Sequence, residues 1–269
     1  MAQNALYDVI IVGGSYAGLA GALSLGRSLR KVLVIDAGNP CNSHTPFTHN
    51  YLTRDGETPA NLSSKGREDV LKYPTVSFLK GEAVKAEKTE KGFAIKTANN
   101  EEYQSKKLLF TTGIIDIMPN IEGFAACWGV SVLHCPYCHG YEFKGAKTGV
   151  FGNGEKGYEQ VKLISHWSGE ITLYTNGTST LSKDHTALLH NNNIRIEEKE
   201  IAAFEHVEGN IQNVIFKDNT KQNLKALYAS PEIKQKSNLP QELGCTFTEH
   251  GRIEVDLFQK TEVPGVYAA

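Results

Sequence analysis

The chain has 269 residues, of which 40% are hydrophobic and 22% are charged. This length suits one large domain or two smaller ones, and the composition excludes a disordered chain. The 28 basic and 30 acidic residues leave a net charge of −2, too little to attract nucleic acid or an anionic membrane. Since no apolar run reaches the roughly 20 residues that span a bilayer, we expect no membrane association.

The N-terminus and the cysteines together indicate the compartment. Residues 1–8 lack the basic start and the long apolar run of a signal peptide. Five cysteines in a chain of this size do not form a disulfide framework. Cys41, Cys127 and Cys245 are scattered along the chain, and we expect them to be reduced structural thiols. We therefore predict a cytoplasmic protein.

The first pattern typical of nucleotide binding begins with an apolar strand over residues 7–12. In the turn that follows, Gly13, Ser15 and Gly18 match G-x-G-x-x-G, except that Ser15 replaces the second glycine. A helix of small residues then leads to a strand that ends at Asp36. The glycines allow a tight turn, the helix N-terminus attracts a pyrophosphate, and the acid can bind ribose hydroxyls. We predict a nucleotide site here.

The order of strand, glycine turn, helix and strand recurs in the second half of the chain. Its turn contains Gly152, Gly154 and Gly157, but Glu155 stands in the phosphate loop and competes with a pyrophosphate for the helix N-terminus. The next strand ends in Thr-Asn-Gly at residues 175–177, with neither an acid for the NADH ribose nor an arginine for the NADPH phosphate. The sequence predicts a second Rossmann-like unit and leaves NAD(P)H binding open.

Each of these two units is followed by a region of different character. Residues 75–110 and 194–217 contain short apolar stretches separated by polar turns, which is typical of antiparallel meanders. The sequence therefore predicts an α/β protein with two dinucleotide-type folds, each with its own meander. We expect the chain to cross between them near Thr112-Gly113 and near Gly244.

The reactive chemistry is predicted at a C-x-x-C motif, Cys135 to Cys138, which His134 and His139 flank. Zinc is disfavoured, because adjacent residues such as His134 and Cys135 rarely bind one metal and no second ligand arm is apparent. The spacing also matches a c-type haem attachment, but no export signal supports that reading; two inert thiols are another alternative. We favour a redox dithiol and no metal, because this spacing lets the sulfurs close a ring and a neighbouring histidine can stabilise a thiolate.

The order of these motifs, together with the strand end at residues 111–113, resembles the thioredoxin reductase family of flavin disulfide oxidoreductases over nearly the whole chain. The resemblance implies two Rossmann-like, three-layer ββα nucleotide-binding domains, one inserted in the other. Residues 1–113 plus 246–269 would form the FAD-binding domain. Residues 114–245 would form a nicotinamide-type domain that carries the dithiol.

The resemblance also implies roles for individual residues. Those that would hold the FAD pyrophosphate and ribose are Gly13, Gly14, Ser15, Gly18 and Asp36. Val84 would lie near the adenine, and Thr112 and Gly113 near the cofactor. Gly152, Gly154 and Gly157 would belong to the nicotinamide nucleotide site. Cys135 and Cys138 would exchange electrons with the flavin, and the resemblance further implies a homodimer.

One departure from the family concerns His139, which replaces the usual acid after the second cysteine and can act as base or acid. In this respect the chain resembles fungal dithiol oxidases that close disulfides in small molecules with oxygen. Our first hypothesis is a reductase that uses NAD(P)H to reduce a thioredoxin-like partner. The alternatives are an oxidase of small-molecule dithiols with a vestigial nicotinamide site, and a non-enzymatic flavin sensor.

Two further expectations concern the flavin site. His44 and His49 lie in a loop that in this family passes close to the flavin, and we expect ordinary loop histidines rather than a proton relay. The sequence stops at Ala269, where the resemblance requires a Gly-Asp pair for the ribityl chain and then a helix beside the flavin ring. We therefore expect weak or absent FAD in the 269-residue form.

Overall fold

The computed structural model describes residues 5–269 as an α/β protein. Two compact units make up the chain. The first comprises the described part of Met1–Ser43 with Ala60–Asp116 and Ile233–Ala269, and the second comprises His44–Pro59 and Ile117–Glu232. Within the described residues, no helix is both long enough and apolar enough to cross a membrane.

Helices and strands alternate along most of the chain. In chain order they are β1 (Leu6–Val12), α1 (Tyr16–Arg27), β2 (Val32–Asp36), α2 (Pro59–Leu71), β3 (Val76–Lys80), β4 (Ala83–Thr89), β5 (Gly92–Thr97), β6 (Glu102–Phe110), β7 (Ile114–Ile117), α3 (Phe124–Cys127), β8 (Val132–Leu133), α4 (Pro136–His139), β9 (Lys147–Phe151), α5 (Gly154–Ile164), β10 (Glu170–Tyr174), α6 (Lys183–Asn191), β11 (Arg195–Glu197), β12 (Ile201–Val207), β13 (Asn210–Phe216), β14 (Lys221–Asn223), β15 (Ala226–Ala229), β16 (Glu232–Gln235), α7 (Leu239–Glu242) and β17 (Val266–Ala268).

The two units repeat one strand arrangement. In the first unit the parallel strands lie in the order β3-β2-β1-β6, and β17 adds to the end of β6. The second unit has the parallel order β11-β10-β9-β15-β8. Apolar strands such as β1 and β2 are buried nearly throughout, as expected of parallel strands covered on both faces. The predicted pair of Rossmann-like folds is confirmed.

An antiparallel meander accompanies each parallel sheet. In the first unit β4 and β5 pair antiparallel, and β5 also pairs antiparallel with the first half of β6. In the second unit β12, β13 and β14 form a separate antiparallel sheet. Phe93 and Ile95 of β5 are buried with Tyr103 of β6, so the meander shares the apolar core of its unit. Each meander returns the chain to the centre of its parallel sheet.

The extent of the meanders differs from the prediction in the same way in both units. The first stretch of each predicted meander is a parallel strand: β3 pairs with β2, and β11 pairs with β10. Helices α2 and α6 precede these strands and complete a second βαβ crossover in each unit. A short apolar stretch is compatible with either partner, so only the tertiary pairing decides its direction.

The units also differ from the predicted domain ranges. Residues 233–245 lie in the first unit, because α7 contributes Leu239 to its core and the following Leu243 and Cys245 are buried there too. Residues 44–59, predicted within the FAD domain, pack in the second unit. That loop is important for the site described below.

Candidate active site

The two cysteines lie at the start of the four-residue helix α4. Cys135 has an extended backbone and is the N-cap, and Pro136 occupies the first helical position, where a missing N–H costs nothing. The following turn brings the Sγ atom of Cys138 to 2.7 Å from the Sγ atom of Cys135. Both side chains are half-buried. The predicted pair is thus brought together within reach of disulfide exchange.

The environment makes the second thiol hard to ionise. Burial, followed by the hydrogen bond and the charge of Cys135, raises the pKa of Cys138 to about 12. Burial likewise raises the pKa of Tyr228 on β15 to about 12, with Cys135 and Glu142 adding to the shift, so this phenol stays neutral. In the reduced state Cys138 therefore keeps its proton at neutral pH unless a base removes it.

This asymmetry predicts a difference in alkylation. Iodoacetamide at pH 8.5 should modify Cys138 of the reduced protein at least about tenfold more slowly than the exposed Cys41, because only the thiolate reacts. Timed quenching followed by peptide mass spectrometry measures both rates in one sample. Equal rates at the two cysteines would contradict the raised pKa.

His139 is the candidate base at the pair. Its imidazole is half-buried next to Cys138, and burial lowers its pKa, an effect that His49 reinforces and that Glu142 opposes. A pKa below the ordinary value near 6.5 leaves the ring neutral at pH 7, with a free nitrogen lone pair to accept a proton. His139 can therefore take a proton from a thiol, as the sequence predicted for one of its two roles.

The loop over residues 44–59 adds two groups beside this base. His49 places its Nε2 atom 3.5 Å from Glu142 and its Nδ1 atom 3.8 Å from Asp55. Its ring meets that of His139 edge-on, with 6.4 Å between centroids. The expectation that His49 is an ordinary loop histidine did not anticipate these contacts. Nothing local in the sequence indicates them, since His49 and His139 are 90 positions apart.

A pocket opens beside the second cysteine. It has a volume of about 260 Å³, and its lining residues are His49, Asn50, Asp55, Pro136, Tyr137, Cys138, Tyr141, Glu142 and Trp167. Tyr137 packs edge-on against Trp167, with 5.2 Å between ring centroids. The Cys138 thiol, the His49 imidazole and aromatic walls therefore share one cavity. His134, in contrast, points to the exposed surface.

Metal-ligating side chains are not grouped at this position. Across residues 5–269, no three histidine, cysteine, aspartate or glutamate side chains are arranged to hold a metal ion. The remaining cysteines are also unpaired: Cys41 is exposed, and Cys127 and Cys245 are buried. The site described here is therefore built from thiols, imidazoles and carboxylates.

The first glycine turn lies at the carboxyl end of the parallel sheet of the first unit. Gly13 has φ +107°, and a side chain there would meet the Thr111 carbonyl oxygen at 2.2 Å. A Cβ atom on Gly18 would lie 2.0 Å from the Gly13 carbonyl oxygen. The backbone N–H of Gly14 donates to Asp36 over 3.1 Å. The predicted glycines and acid therefore form one tightly packed corner.

This corner fits a nucleotide pyrophosphate. Ser15 is the N-cap of α1, but its side chain makes no capping hydrogen bond. The helix dipole favours an anion at this N-terminus, and the Ser15 side chain does not occupy it. Thr112 and the exposed Gly113 come two and three positions after the end of β6, while Val84 lies exposed on β4. The residues present fit FAD at its pyrophosphate.

The second glycine turn is closed by its own side chains. Asn153 is the N-cap of α5, and its Oδ1 atom accepts from the N–H of Gly154 at 2.8 Å and from that of Thr180 at 2.8 Å. Its Nδ2 atom donates to the Thr178 carbonyl oxygen at 2.9 Å. The helix N-terminus that a pyrophosphate needs is therefore capped by an amide, and residues 178–180 are held against it.

A carboxylate also disfavours the binding of a dinucleotide at this turn. Glu155 lies in the first turn of α5, with Oε2 3.2 Å from the Nδ1 atom of His185. His185 stacks on Tyr158 with ring planes 2° apart and centroids 3.8 Å apart. The turn keeps Gly152, Gly154 and Gly157, but the groups around it do not fit an anionic pyrophosphate.

Comparison with known proteins gives matches over nearly the whole chain. A family model described as pyridine nucleotide-disulphide oxidoreductase matches residues 7–269. Thioredoxin reductase tcpT of Claviceps purpurea is 29% identical over 282 residues, which cover 100% of this chain and 87% of that protein. Thioredoxin reductase aclD of Aspergillus oryzae is 30% identical over 277 residues, covering 98% and 87%. A solved oxidoreductase from Agrobacterium tumefaciens has a TM-score of 0.92 at 30% identity, covering 98% of this chain and 89% of its own.

Proposed function

Since the chain belongs to the pyridine nucleotide-disulphide oxidoreductase family, we propose that this thioredoxin-reductase-like enzyme oxidises substrate dithiols through Cys135 and Cys138. The observation that favours dithiol oxidation over reduction by NAD(P)H is the contrast between the two glycine turns. The Ser15 side chain makes no cap at the first, whereas the Asn153 side chain caps the second. Family membership also makes the chain a flavin-dependent disulfide oxidoreductase rather than a non-enzymatic sensor.

The residues that would hold FAD are those of the first corner. Gly13, Gly14, Ser15 and Gly18 would face the pyrophosphate, and Asp36 the ribose. By the resemblance, Val84, Thr112 and Gly113 would lie along the rest of the cofactor. When bound, FAD supplies a two-electron acceptor for the reduced cysteine pair.

Thiol exchange at the pair follows from the contacts around it. A substrate thiol gives its proton to His139, and its thiolate attacks the Sγ atom of Cys135 in the oxidised pair. The bond between Cys135 and Cys138 breaks, and Cys138 takes the electron pair and, because of its high pKa, the proton from His139. The second substrate thiol then attacks the mixed disulfide, which releases the oxidised substrate and the Cys135 thiol. Two electrons and two protons thereby pass from the substrate to the enzyme.

A second candidate function is the reverse direction, in which NAD(P)H supplies electrons for reducing a thioredoxin-like protein. The retained Gly152, Gly154 and Gly157 favour it, as do relatives named thioredoxin reductases. We place the small-molecule dithiol first because the pocket beside Cys138 has a small volume and aromatic walls. A cytoplasmic homodimer remains part of this proposal.

One spectroscopic experiment separates these directions. The flavin absorbance of the holoenzyme is recorded without oxygen while NADPH, NADH or a neutral dithiol is added separately, and oxygen is then admitted. We expect bleaching by the dithiol alone, reversed by oxygen. Bleaching by NADPH or NADH, but not by the dithiol, would replace the proposal with the reductase direction.

The capped turn yields a further prediction. Asn153→Gly frees the N–H of Gly154 and releases residues 178–180, so we expect NADPH to bind at least about tenfold more tightly than to the wild type. Isothermal titration measures the affinity without relying on turnover. Asn193→Gly, which changes an exposed asparagine in the turn before β11, is the matched control and should bind like the wild type. Unchanged affinity in Asn153→Gly would show that the amide does not exclude the nucleotide.

A further inference from the structure

The loop over residues 44–59 is a structured part of the second unit. Thr48 and Glu57 form an isolated antiparallel bridge, and Asp55 accepts from the backbone N–H of Asn50 at 2.7 Å. Gly129 supports the start of the loop, since a Cβ atom on Gly129 would lie 3.1 Å from the Oγ1 atom of Thr45. These contacts hold the loop in a defined turn, with His49 and Asp55 on the side of the pocket.

His49 lies between the base and two carboxylates. Its ring faces His139 edge-on, with 6.4 Å between centroids, a separation that one water or a ring rotation can bridge. Its two ring nitrogens face carboxylates: Nε2 lies 3.5 Å from Glu142, and Nδ1 lies 3.8 Å from Asp55. The side chain of His49 is 25% exposed and that of Asp55 is 68% exposed. Exposure to solvent therefore increases from the imidazole to the carboxylate.

The charges that face His139 come from three parts of the unit. The Cys138 thiol lies on α4, of which Cys135 is the N-cap; Glu142 follows that helix, and His49 comes from the loop, where it contacts Asp55. Tyr228 on β15 is neutral and faces Cys135 and Glu142. His49 is therefore the one further imidazole among these groups that can receive a proton from His139 and pass it to a carboxylate.

We propose that His49 is a positioning residue that relays protons between His139 and solvent through Glu142 and Asp55. The proposal rests on the dithiol reaction above, in which two protons enter the site with each substrate and must leave when the pair is reoxidised. His139 carries one proton at a time, so a second imidazole lets it return to the neutral form between transfers. No oxidant beyond that of the proposed reaction is required.

The coupling between the two rings can be measured without turnover. In ¹H–¹⁵N spectra of the imidazoles recorded against pH, His49→Gln should raise the pKa of His139, because the neighbouring positive charge is lost. Glu142→Gln should lower that pKa, because a stabilising negative charge is lost. His44→Gln, in the same loop and exposed, is the matched control and should leave the His139 titration unchanged.

The relay itself is tested by rate and rescue. His49→Ala should slow dithiol turnover about tenfold or more and alter its pH profile, and added imidazole should restore most of the rate. A loss of turnover in His49→Ala that imidazole does not restore, with an unchanged pH profile, would indicate a structural role and overturn the proposal. Wild-type kinetics in His49→Gln would also overturn it. If the wild type oxidises no dithiol, the proposed function fails. The His139 pKa measured by NMR in His49→Gln and Glu142→Gln still decides whether His49 and His139 are coupled.

Discussion

Dithiol oxidation should fall by about three orders of magnitude or more in Cys138→Ser, because a serine hydroxyl cannot form with Cys135 the disulfide that the substrate thiolate attacks. The Sγ atoms of Cys135 and Cys138 lie 2.7 Å apart, so each cysteine is within exchange distance of the other. Cys135→Ser should have an equal effect, since the mixed disulfide with substrate can no longer form. Oxygen consumption with a neutral dithiol measures the rate.

The matched control for these variants is Cys41→Ser, which removes an exposed thiol from the first unit. It should retain wild-type turnover and stability. The folding of each variant is checked by thermal unfolding and by the flavin content per chain, both of which should match the wild type. Undiminished turnover in Cys138→Ser would show that electrons reach the acceptor by another route.

Gly18→Ala should destabilise the first unit by about 3 kcal/mol, although alanine ordinarily stabilises a helix relative to glycine by about 1 kcal/mol. The new Cβ atom would lie 2.0 Å from the Gly13 carbonyl oxygen and 2.9 Å from the Thr111 Oγ1 atom. That hydroxyl donates to the same carbonyl over 2.7 Å, so the clash also disturbs a hydrogen bond between the residues that follow β1 and β6. Denaturant unfolding measures the loss, and reduced flavin binding should accompany it.

Gly66→Ala in α2 is the matched control for this prediction. Gly66 is also a helical glycine, but the only neighbour of its new Cβ atom is the flexible end of Leu19 at 3.1 Å. Its stability should be unchanged or up to about 1 kcal/mol higher than that of the wild type. If Gly18→Ala were as stable as Gly66→Ala, the close approach of the helix to the glycine turn would not be what requires glycine at position 18.

The sequence by itself determined the features that depend on local pattern. Apolar strands ending in glycines at Gly13 and Gly152 identified both Rossmann-like units, because a strand, a tight turn and a helix lie within a short stretch of chain. The spacing from Cys135 to Cys138 likewise predicted an exchanging pair, since three positions in one helical turn bring two side chains together. Glu155 likewise indicated a carboxylate that competes with a pyrophosphate at the second turn, while the sequence left NAD(P)H binding open.

Tertiary structure alone decided the contacts between distant segments. It made β3 and β11 parallel strands, because strand direction depends on a partner that no short apolar stretch specifies. It turned Asn153 into the cap that joins Gly154 to Thr180, a bond across 27 positions. It also brought the loop with His49 beside His139, because packing against the second unit, and not sequence proximity, fixes where that imidazole lies.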